Sequence, residues 1–205
     1  MAKRTHEEAM QTKDAILDAA LKLFNTIGYE KTSLSEIARE AKVTRGAIYW
    51  HFEDKSEILC EVCMKIAGEV EFSKYMKEAC DESSLDPLGS LRKWLYQYAD
   101  ETFLQFLSSI LFKSINNFKI SNSMKPKEVE KLEELLERRK HHVYTALINA
   151  IRARQLPINL DIEKATEFLL TIVSGYITTT HYSVTPQQFK EFVDITINAL
   201  STFTK

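Results

Sequence analysis

Three helix N-termini follow one another closely near the start of the chain, and their spacing constrains the fold more than any other feature. Ser33 with Glu36, and Asp54 with Glu57, have the spacing of capping boxes, whose side chains satisfy free backbone N–H groups. Thr44 is placed to cap a further helix between them. That middle helix is limited to about two turns. A short helix, a tight turn and a second short helix are typical of the helix-turn-helix arrangement.

The rest of the sequence also predicts helices. Only 5 glycines and 4 prolines occur in 205 residues, and few turn-forming residues imply long helices. Apolar residues from Ile16 to Ile27 recur every three or four positions, and Gly28 follows as the expected end of that helix. We therefore predict an all-α fold of about nine helices, with a helix-turn-helix domain at 1–54 and a larger helical domain at 55–205. The other predicted long helices cover 55–80, which connects the domains, and 88–118, 126–154, 161–182 and 186–203.

Composition and cysteine usage exclude several classes of protein. The net charge is −2, so the bulk charge does not indicate a nucleic-acid-binding protein, and no window approaches a membrane span. Three cysteines without an export signal predict a cytoplasmic protein. Cys60 and Cys63 form a lone CxxC inside a predicted helix, and no second pair completes a metal site. We interpret them as packing thiols and keep a redox switch as the alternative; no cofactor is indicated.

The helix that follows Thr44 carries residues suited to DNA. The N-terminal residues of a recognition helix reach base edges in the major groove, where arginine can bind guanine and a small alanine can meet a thymine methyl group. We interpret Ile48 and Phe52 as core and Trp50 as partly buried packing. Residues 1–59 hold nine basic and ten acidic residues, so the acids must lie away from DNA. The pattern alone leaves open that these helices only pack. The candidate contacts to bases and phosphates are Thr32, Ser33, Thr44, Arg45, Gly46, Ala47, Tyr49, His51 and Lys55.

The segment TSLSEIAREAKVTRGAIYWHFEDKSEIL, residues 32–59, resembles the DNA-binding motif of the TetR family of bacterial repressors. VTRGAIYWHF followed by DKS is especially similar to the AcrR-like branch, which represses genes for multidrug efflux pumps. A weaker similarity covers DPLGSLR and SGYI further along the chain. The resemblance implies a ligand-responsive repressor that lipophilic molecules release from palindromic double-stranded operator DNA. Family contacts to DNA, carried over position by position, fall on the nine candidates above.

A ligand pocket is implied by the same resemblance, and apolar and aromatic residues suited to line one occur along the second domain. Most helical aromatics belong to a core, so ordinary packing stays open for each. Asn117 and His142 are further polar candidates. Ala67 stands where AcrR-like proteins can carry an acidic residue, which puts a preference for cationic ligands in doubt. The candidates are Cys63, Ala67, Val70, Phe103, Phe106, Phe112, Asn116, Tyr144, Phe168, Ile172 and Tyr176.

The last two predicted helices indicate a homodimer. FLLTIVSGYI is apolar around most of its circumference, and two such helices from each subunit would form a four-helix bundle. The alternative is that both helices only close the core of the monomer. A helical enzyme is disfavoured, because the chain has no glycine-rich phosphate loop, HExxH or GxSxG motif. The predicted dimer stripe consists of Phe189, Phe192, Val193, Thr196, Ile197, Leu200 and Phe203.

Overall fold

The computed structural model describes residues 6–71, 73–100, 125–179 and 184–204. Within these residues the chain forms nine α-helices, one 3-10 turn and a single isolated bridge between Leu160 and Thr204, which confirms the all-α prediction. None of the described helices combines the length and low polarity that a bilayer span requires. The helices are α1 His6–Ile27, α2 Leu34–Glu40, α3 Arg45–His51, α4 Lys55–Glu71, α5 Lys74–Cys80, α6 Pro87–Asp100, α7 Pro126–Arg152, α8 Ile162–Thr179 and α9 Pro186–Ala199, followed by the 3-10 turn Leu200–Thr202.

The chain divides into two compact units. The first consists of Met1–Lys65 and Asn122–Leu132, and the second of Ile66–Ser121 and Glu133–Lys205. The first unit therefore includes the first turns of α4 and α7 in addition to residues 1–54, the segment assigned to DNA binding from the sequence.

The first unit is built around the buried face of α1. Ile16, Ala20 and Phe24 are fully buried, as are Ile37 of α2 and Ile48 of α3. Burial of a side chain of this size stabilises the fold by about 1.5–3 kcal/mol, so these residues fix the two short helices against α1. The predicted helix end is confirmed as well, because the residue after α1 is a glycine with a left-handed φ of 88°.

The predicted caps of the short helices are present. Ser33 Oγ accepts from the Glu36 backbone N–H at 3.2 Å, while the Glu36 carboxylate accepts from the Ser33 backbone N–H at 2.8 Å. Thr44 Oγ1 accepts from the Ala47 N–H at 3.1 Å. Both caps satisfy N–H groups that a helix of two turns cannot satisfy internally, which explains why such short helices form here.

One helix prediction is wrong. The helix expected over 55–80 is two helices in the structure, because α4 ends at Glu71 and α5 begins at Lys74. Ser73 is the N-cap of α5 and its hydroxyl accepts from the Met76 N–H. An apolar periodicity that continues across a break conceals the new start, and Ser73 has no acidic partner three residues later to mark it.

The second unit has its own apolar core. α6 packs against α5 and α9, and its Trp94 is fully buried and donates from the indole N–H to the Val70 carbonyl at 3.2 Å. α9 begins with Pro186 at its first turn, as predicted, and Thr185 and Gln188 form a capping box before it. The chain end is tied down where the Asp161 N–H donates to the Phe203 carbonyl at 2.6 Å.

Candidate nucleic-acid interface

The turn between α2 and α3 sets the direction of α3. Lys42 adopts a left-handed φ of 56°, and the Val43 N–H donates back to the Ala38 carbonyl at 2.9 Å. Val43 and the fully buried Ile48 occupy the two positions of a hydrophobic staple, in which a side chain before the cap packs near the first turn. The inward side of α3 is therefore anchored, and the remaining residues of this short helix are available to solvent.

The outward face of α3 is polar and aromatic. Arg45 Nη2 donates to the Tyr49 hydroxyl at 3.0 Å, and the guanidinium carbon lies 5.5 Å from the ring centroid. No carboxylate in the described part of the chain pairs with Arg45, and Tyr49 is 50% exposed. An arginine held one helical turn from a tyrosine, without a carboxylate partner among the described residues, is suited to bind an anionic partner or the acceptor edge of a guanine.

Trp50 belongs to the same exposed face. Its side chain is 71% exposed, so the interpretation of Trp50 as partly buried packing is wrong. Its ring meets the half-buried His51 ring edge-on at a centroid separation of 4.5 Å. In a helix of seven residues the buried side accommodates one large residue, Ile48, which leaves the neighbouring rings outside.

Gly46 is not required by packing within the chain. A Cβ built at this position would meet only Thr44 Oγ1, at 3.8 Å, which is an ordinary contact. Glycine is about 1 kcal/mol less favourable than alanine inside a helix, so the missing side chain is a cost that the isolated fold does not explain. Ala47, the next residue, is half-buried. Both small residues leave room for a partner to approach the backbone closely.

Two of the expected phosphate contacts, Lys55 and Thr32, have hydrogen-bond partners within the chain. Lys55 Nζ donates to the backbone carbonyls of Tyr29 at 2.8 Å, Thr32 at 2.9 Å and Glu30 at 3.4 Å, and lies 4.3 Å from the centroid of the Tyr29 ring. Burial of the ammonium lowers the pKa of Lys55. Thr32 is only 2% exposed and its hydroxyl donates to the Gly28 carbonyl at 2.8 Å. Lys55 and Thr32 thus support the loop beneath the exposed face.

The carboxylates of Asp54 and Glu57, near the start of α4, have hydrogen-bond partners within the first unit. Asp54 caps α4 by accepting from the Glu57 N–H at 3.0 Å, while the Glu57 carboxylate accepts from the Glu53 N–H at 2.7 Å. Partial burial tends to raise the pKa of Asp54, but hydrogen bonds from Ser56, Lys125 and the Glu57 backbone outweigh it and hold the pKa at about 2. No local sequence pattern indicates that Lys125 lies close to Asp54, since the two segments are far apart in the chain.

The ligand candidates are only partly brought together. Phe103, Phe106, Phe112, Asn116 and Asn117 lie outside the described residues, and so does the side chain of Ala67. Cys63 and Val70 are buried, and Tyr144, Phe168 and His142 are half-buried. Ile172 and Tyr176 line an open depression of about 380 Å³ in the second unit, where the Tyr176 ring stacks on Phe189 at 3.8 Å. The other residues of this apolar depression are Thr171, Gly175, Val184, Phe189 and Phe192.

The predicted dimer stripe on α9 and the turn after it needs a correction. Five of its members, Phe189, Val193, Thr196, Ile197 and Leu200, are buried within the chain and so close the core of the second unit. Phe203 is half-buried against Phe168, with ring centroids 5.0 Å apart. Phe192 is exposed, together with Ile195, which the sequence argument did not select. Within the described residues of α9, the large apolar side chains left exposed for a partner are therefore Phe192, which lines the depression, and Ile195.

The surroundings of Cys60 and Cys63 are those of side chains packed in a core. Cys60 and Cys63 are both buried, and burial raises the pKa of the Cys60 thiol to about 11 and that of Cys63 further. Because the thiolate is the reactive species, a thiol that stays protonated at neutral pH is a poor redox sensor. The geometry disfavours the redox alternative for this pair.

Comparisons with known proteins match the geometry of the α2–α3 region. Residues 16–62 match the family described as bacterial regulatory proteins, tetR family. The chain is 34% identical over 178 residues to the probable HTH-type transcriptional regulator ArpR of Pseudomonas putida, covering 86% of this chain and 83% of that protein. It is 33% identical over 193 residues to the HTH-type transcriptional regulator AcrR of Shigella flexneri, covering 92% and 86%.

Solved structures share the fold over nearly the whole chain. SmeT, the repressor of the Stenotrophomonas maltophilia multidrug efflux pump SmeDEF, superposes with a TM-score of 0.71 at 21% identity and covers 95% of this chain and 93% of its own. A SmeT–triclosan complex gives a TM-score of 0.72 at 22% identity, covering 92% and 90%. Identity above 30% across more than four-fifths of full-length relatives, with a helix-turn-helix that exposes α3, identifies this chain as a member of the tetR family of bacterial regulatory proteins.

Proposed function

We propose that the chain is a ligand-responsive repressor of a multidrug efflux system, acting in the bacterial cytoplasm on palindromic operator DNA. The observation that carries DNA binding is the outward face of α3, where Arg45 has no carboxylate partner among the described residues and Tyr49 and Trp50 are exposed. Efflux as the regulated process is supported by the likeness to SmeT, the repressor of a multidrug efflux pump.

The residues of this face have separate proposed roles. Arg45 and Ala47, with Tyr49, read base edges, while Ser33, Thr44 and His51 contact phosphates and fix the position of α3 on the duplex. Gly46 allows the backbone to approach a phosphate. Thr32 and Lys55 act through the loop that they hold together, because their donors already have carbonyl partners.

Two recognition helices need a dimer, since a palindromic operator mirrors a two-fold axis. The proposed interface is formed by α8 and α9, where Phe192 is 45% and Ile195 65% exposed beside the apolar depression. Exposed apolar residues of this size, one turn apart on α9, favour association with a second copy. Sedimentation of the Ile195→Asp protein as a monomer would support this interface, and an unchanged dimer would refute it.

The inducer is proposed to be a lipophilic small molecule that binds the second unit, as triclosan binds SmeT. Coupling requires only that the ligand prefers the form with low DNA affinity; a 10- to 100-fold loss corresponds to about 1.4–2.8 kcal/mol. Triclosan in a thermal-shift assay is the first probe. A raised melting temperature together with lower operator affinity supports the proposal, and a ligand that binds without changing operator affinity would contradict it.

Arg45→Ala tests DNA binding directly. Selection from a random duplex library yields the operator, and fluorescence anisotropy then gives the affinity. We expect the variant to lose about 1–3 kcal/mol of discrimination for the selected site. Arg152→Ala is the matched control, because Arg152 is an exposed arginine of the second unit paired with Glu82 at 2.8 Å. Equal operator affinities for wild type and Arg45→Ala would refute the assignment.

A further inference from the structure

The start of α4 carries four carboxylates, and lysines from the start of α7 compensate them within the first unit. Lys125 pairs with Glu53, and with Asp54 at 2.9 Å. Lys127 lies 3.6 Å from Glu53 and 3.7 Å from Glu57, and Lys131 lies 2.8 Å from Glu61. Single exposed ion pairs contribute little, but several pairs between the same two segments act together. We call Lys125, Lys127 and Lys131 the lysine clamp.

A buried carboxylate lies between these surface pairs. Glu128 is 1% exposed, and its Oε2 accepts from the Lys125 backbone N–H at 2.9 Å and lies 3.1 Å from the Ser56 hydroxyl. The Ser56 hydroxyl also lies 2.7 Å from Asp54 Oδ1, so its single hydrogen is contested by two carboxylates. Glu128 Oε1 is buried and has no hydrogen-bond partner among the residues that the structure describes. This buried contact joins the start of α7 to the start of α4, and its incomplete hydrogen bonding lowers its contribution to stability.

The carboxylates matter because of where they occur in the chain. Glu53 directly follows Phe52, the C-cap of α3, and is two residues from His51, a proposed phosphate contact. Duplex DNA carries about one negative charge per 1.7 Å of helix axis, so unmasked carboxylates at this point oppose its approach. Their repulsion acts over about 10 Å at moderate salt, which includes the neighbouring turns of α3. The clamp supplies cations where residues 1–59 alone have an excess of acids.

We propose that the α7 segment Lys125–Lys131 is a positioning element for DNA binding: its lysines mask the carboxylates at the start of α4, and operator affinity falls when the segment leaves. The inference rests on the proposed DNA binding by α3. It assigns the clamp an indirect role, through the carboxylates and without contact to DNA. α7 continues along the chain into the residues of the second unit, so a ligand that displaces its first turns releases DNA by exposing these acids.

The experiment compares Lys125→Gln/Lys127→Gln with Lys140→Gln/Lys164→Gln. Both pairs remove two positive charges, but Lys140 and Lys164 belong to the second unit and lie outside the clamp. Operator affinity is measured by fluorescence anisotropy between about 50 and 300 mM salt. We expect the clamp variant to bind about ten-fold more weakly at the lowest salt and to approach wild type as salt screens the acids, with the control within about two-fold throughout.

A variant with four substitutions distinguishes masking of the carboxylates by the lysines from direct contact of the lysines with DNA. Adding Glu53→Gln and Glu57→Gln to the clamp variant returns the net charge to the wild-type value and removes two of the four carboxylates that the lysines mask, leaving Asp54 and Glu61. Affinity should return to within about three-fold of wild type. Equal operator affinities of the clamp variant and the control would overturn the proposal. It would also be overturned if the variant with four substitutions still bound the operator weakly, because the lysines would then contact DNA themselves. A wild-type protein that selects no duplex would instead overturn the proposed function.

Discussion

Two cations of the helix-turn-helix region, Arg45 and Lys55, meet opposite surroundings. Both begin a helix and both are suited to an anionic partner. Arg45 lies on the outward face of α3, where its guanidinium contacts the hydroxyl and ring of Tyr49. Lys55 donates to three backbone carbonyls of the loop after α1 and stacks over Tyr29. One charge is available to a partner, and the other is already used in holding the fold together.

The difference shows that a basic residue at the start of a helix cannot be identified as a DNA contact from its type and position alone. A lysine has three donors and no acceptor, and at Lys55 three carbonyls are within reach of them. For Lys55 to bind a phosphate it must give up partners that stabilise the loop. The two helix starts therefore divide the work: α3 presents contacts, while α4 holds the unit together.

The largest expected effect is a difference in the free energy of unfolding between variants of Lys55 and Arg45. Lys55→Met keeps the alkyl stem over Tyr29 but leaves the carbonyls of Tyr29 and Thr32 without their charged donor. Hydrogen bonds to charged groups contribute about 1.5–3 kcal/mol, so the free energy of unfolding should fall by about 2–3 kcal/mol. Arg45→Met, the matched variant, should stay within about 0.5 kcal/mol of wild type because its contacts are exposed. Urea unfolding measures both, and equal losses would remove the distinction.

Gly46→Ala is expected to change stability and operator affinity in opposite directions. Alanine fits at this position within the chain, and it removes the helix penalty of glycine, so stability should rise by up to about 1 kcal/mol. The added methyl group projects from the exposed face next to Arg45, where the backbone is proposed to meet DNA. Operator affinity should therefore fall while the melting temperature rises. A variant that is more stable and binds the operator as well as wild type would show that no partner approaches Gly46.

Local features of the fold could be predicted from the sequence. Ser33, Thr44 and Asp54 cap helices because a cap depends on residues within one turn, and the structure has all three caps. Gly28 ends α1 for an equally local reason. The exposed first turn of α3 could be inferred as well, because burying Ile48 on a two-turn helix leaves Arg45 outside.

Features that depend on distant segments could not be predicted. The carbonyl partners of Lys55 and the contact of Lys125 with Asp54 join segments whose proximity no local pattern records. Trp50 was misassigned because seven residues are too few for periodicity to separate the faces of a helix. The α9 stripe was assigned to a dimer because an apolar face has the same pattern whether its own chain or a second copy covers it; α6 covers much of it here.

The smallest expected effect concerns how much the negative charge of Asp54, at the start of α4, contributes to the free energy of unfolding. Asp54→Asn keeps an N-cap side chain of equal quality, so the comparison isolates the carboxylate charge. The pKa of Asp54 is about 2 in the folded protein against an ordinary value of 3.8. A lowered folded-state pKa contributes stability above about pH 4, which is lost as the pH falls towards 2.

The Asp54 side chain is 42% exposed, so screening by solvent limits this contribution to less than about 1 kcal/mol. Urea unfolding of wild type and Asp54→Asn at a series of pH values should show a small advantage of wild type at pH 7 that narrows below about pH 4. Arg45→Ala should leave that profile unchanged, because Arg45 has no carboxylate partner among the described residues. If the difference between wild type and Asp54→Asn were independent of pH, the ion pair with Lys125 would contribute nothing, and the cap alone would account for Asp54.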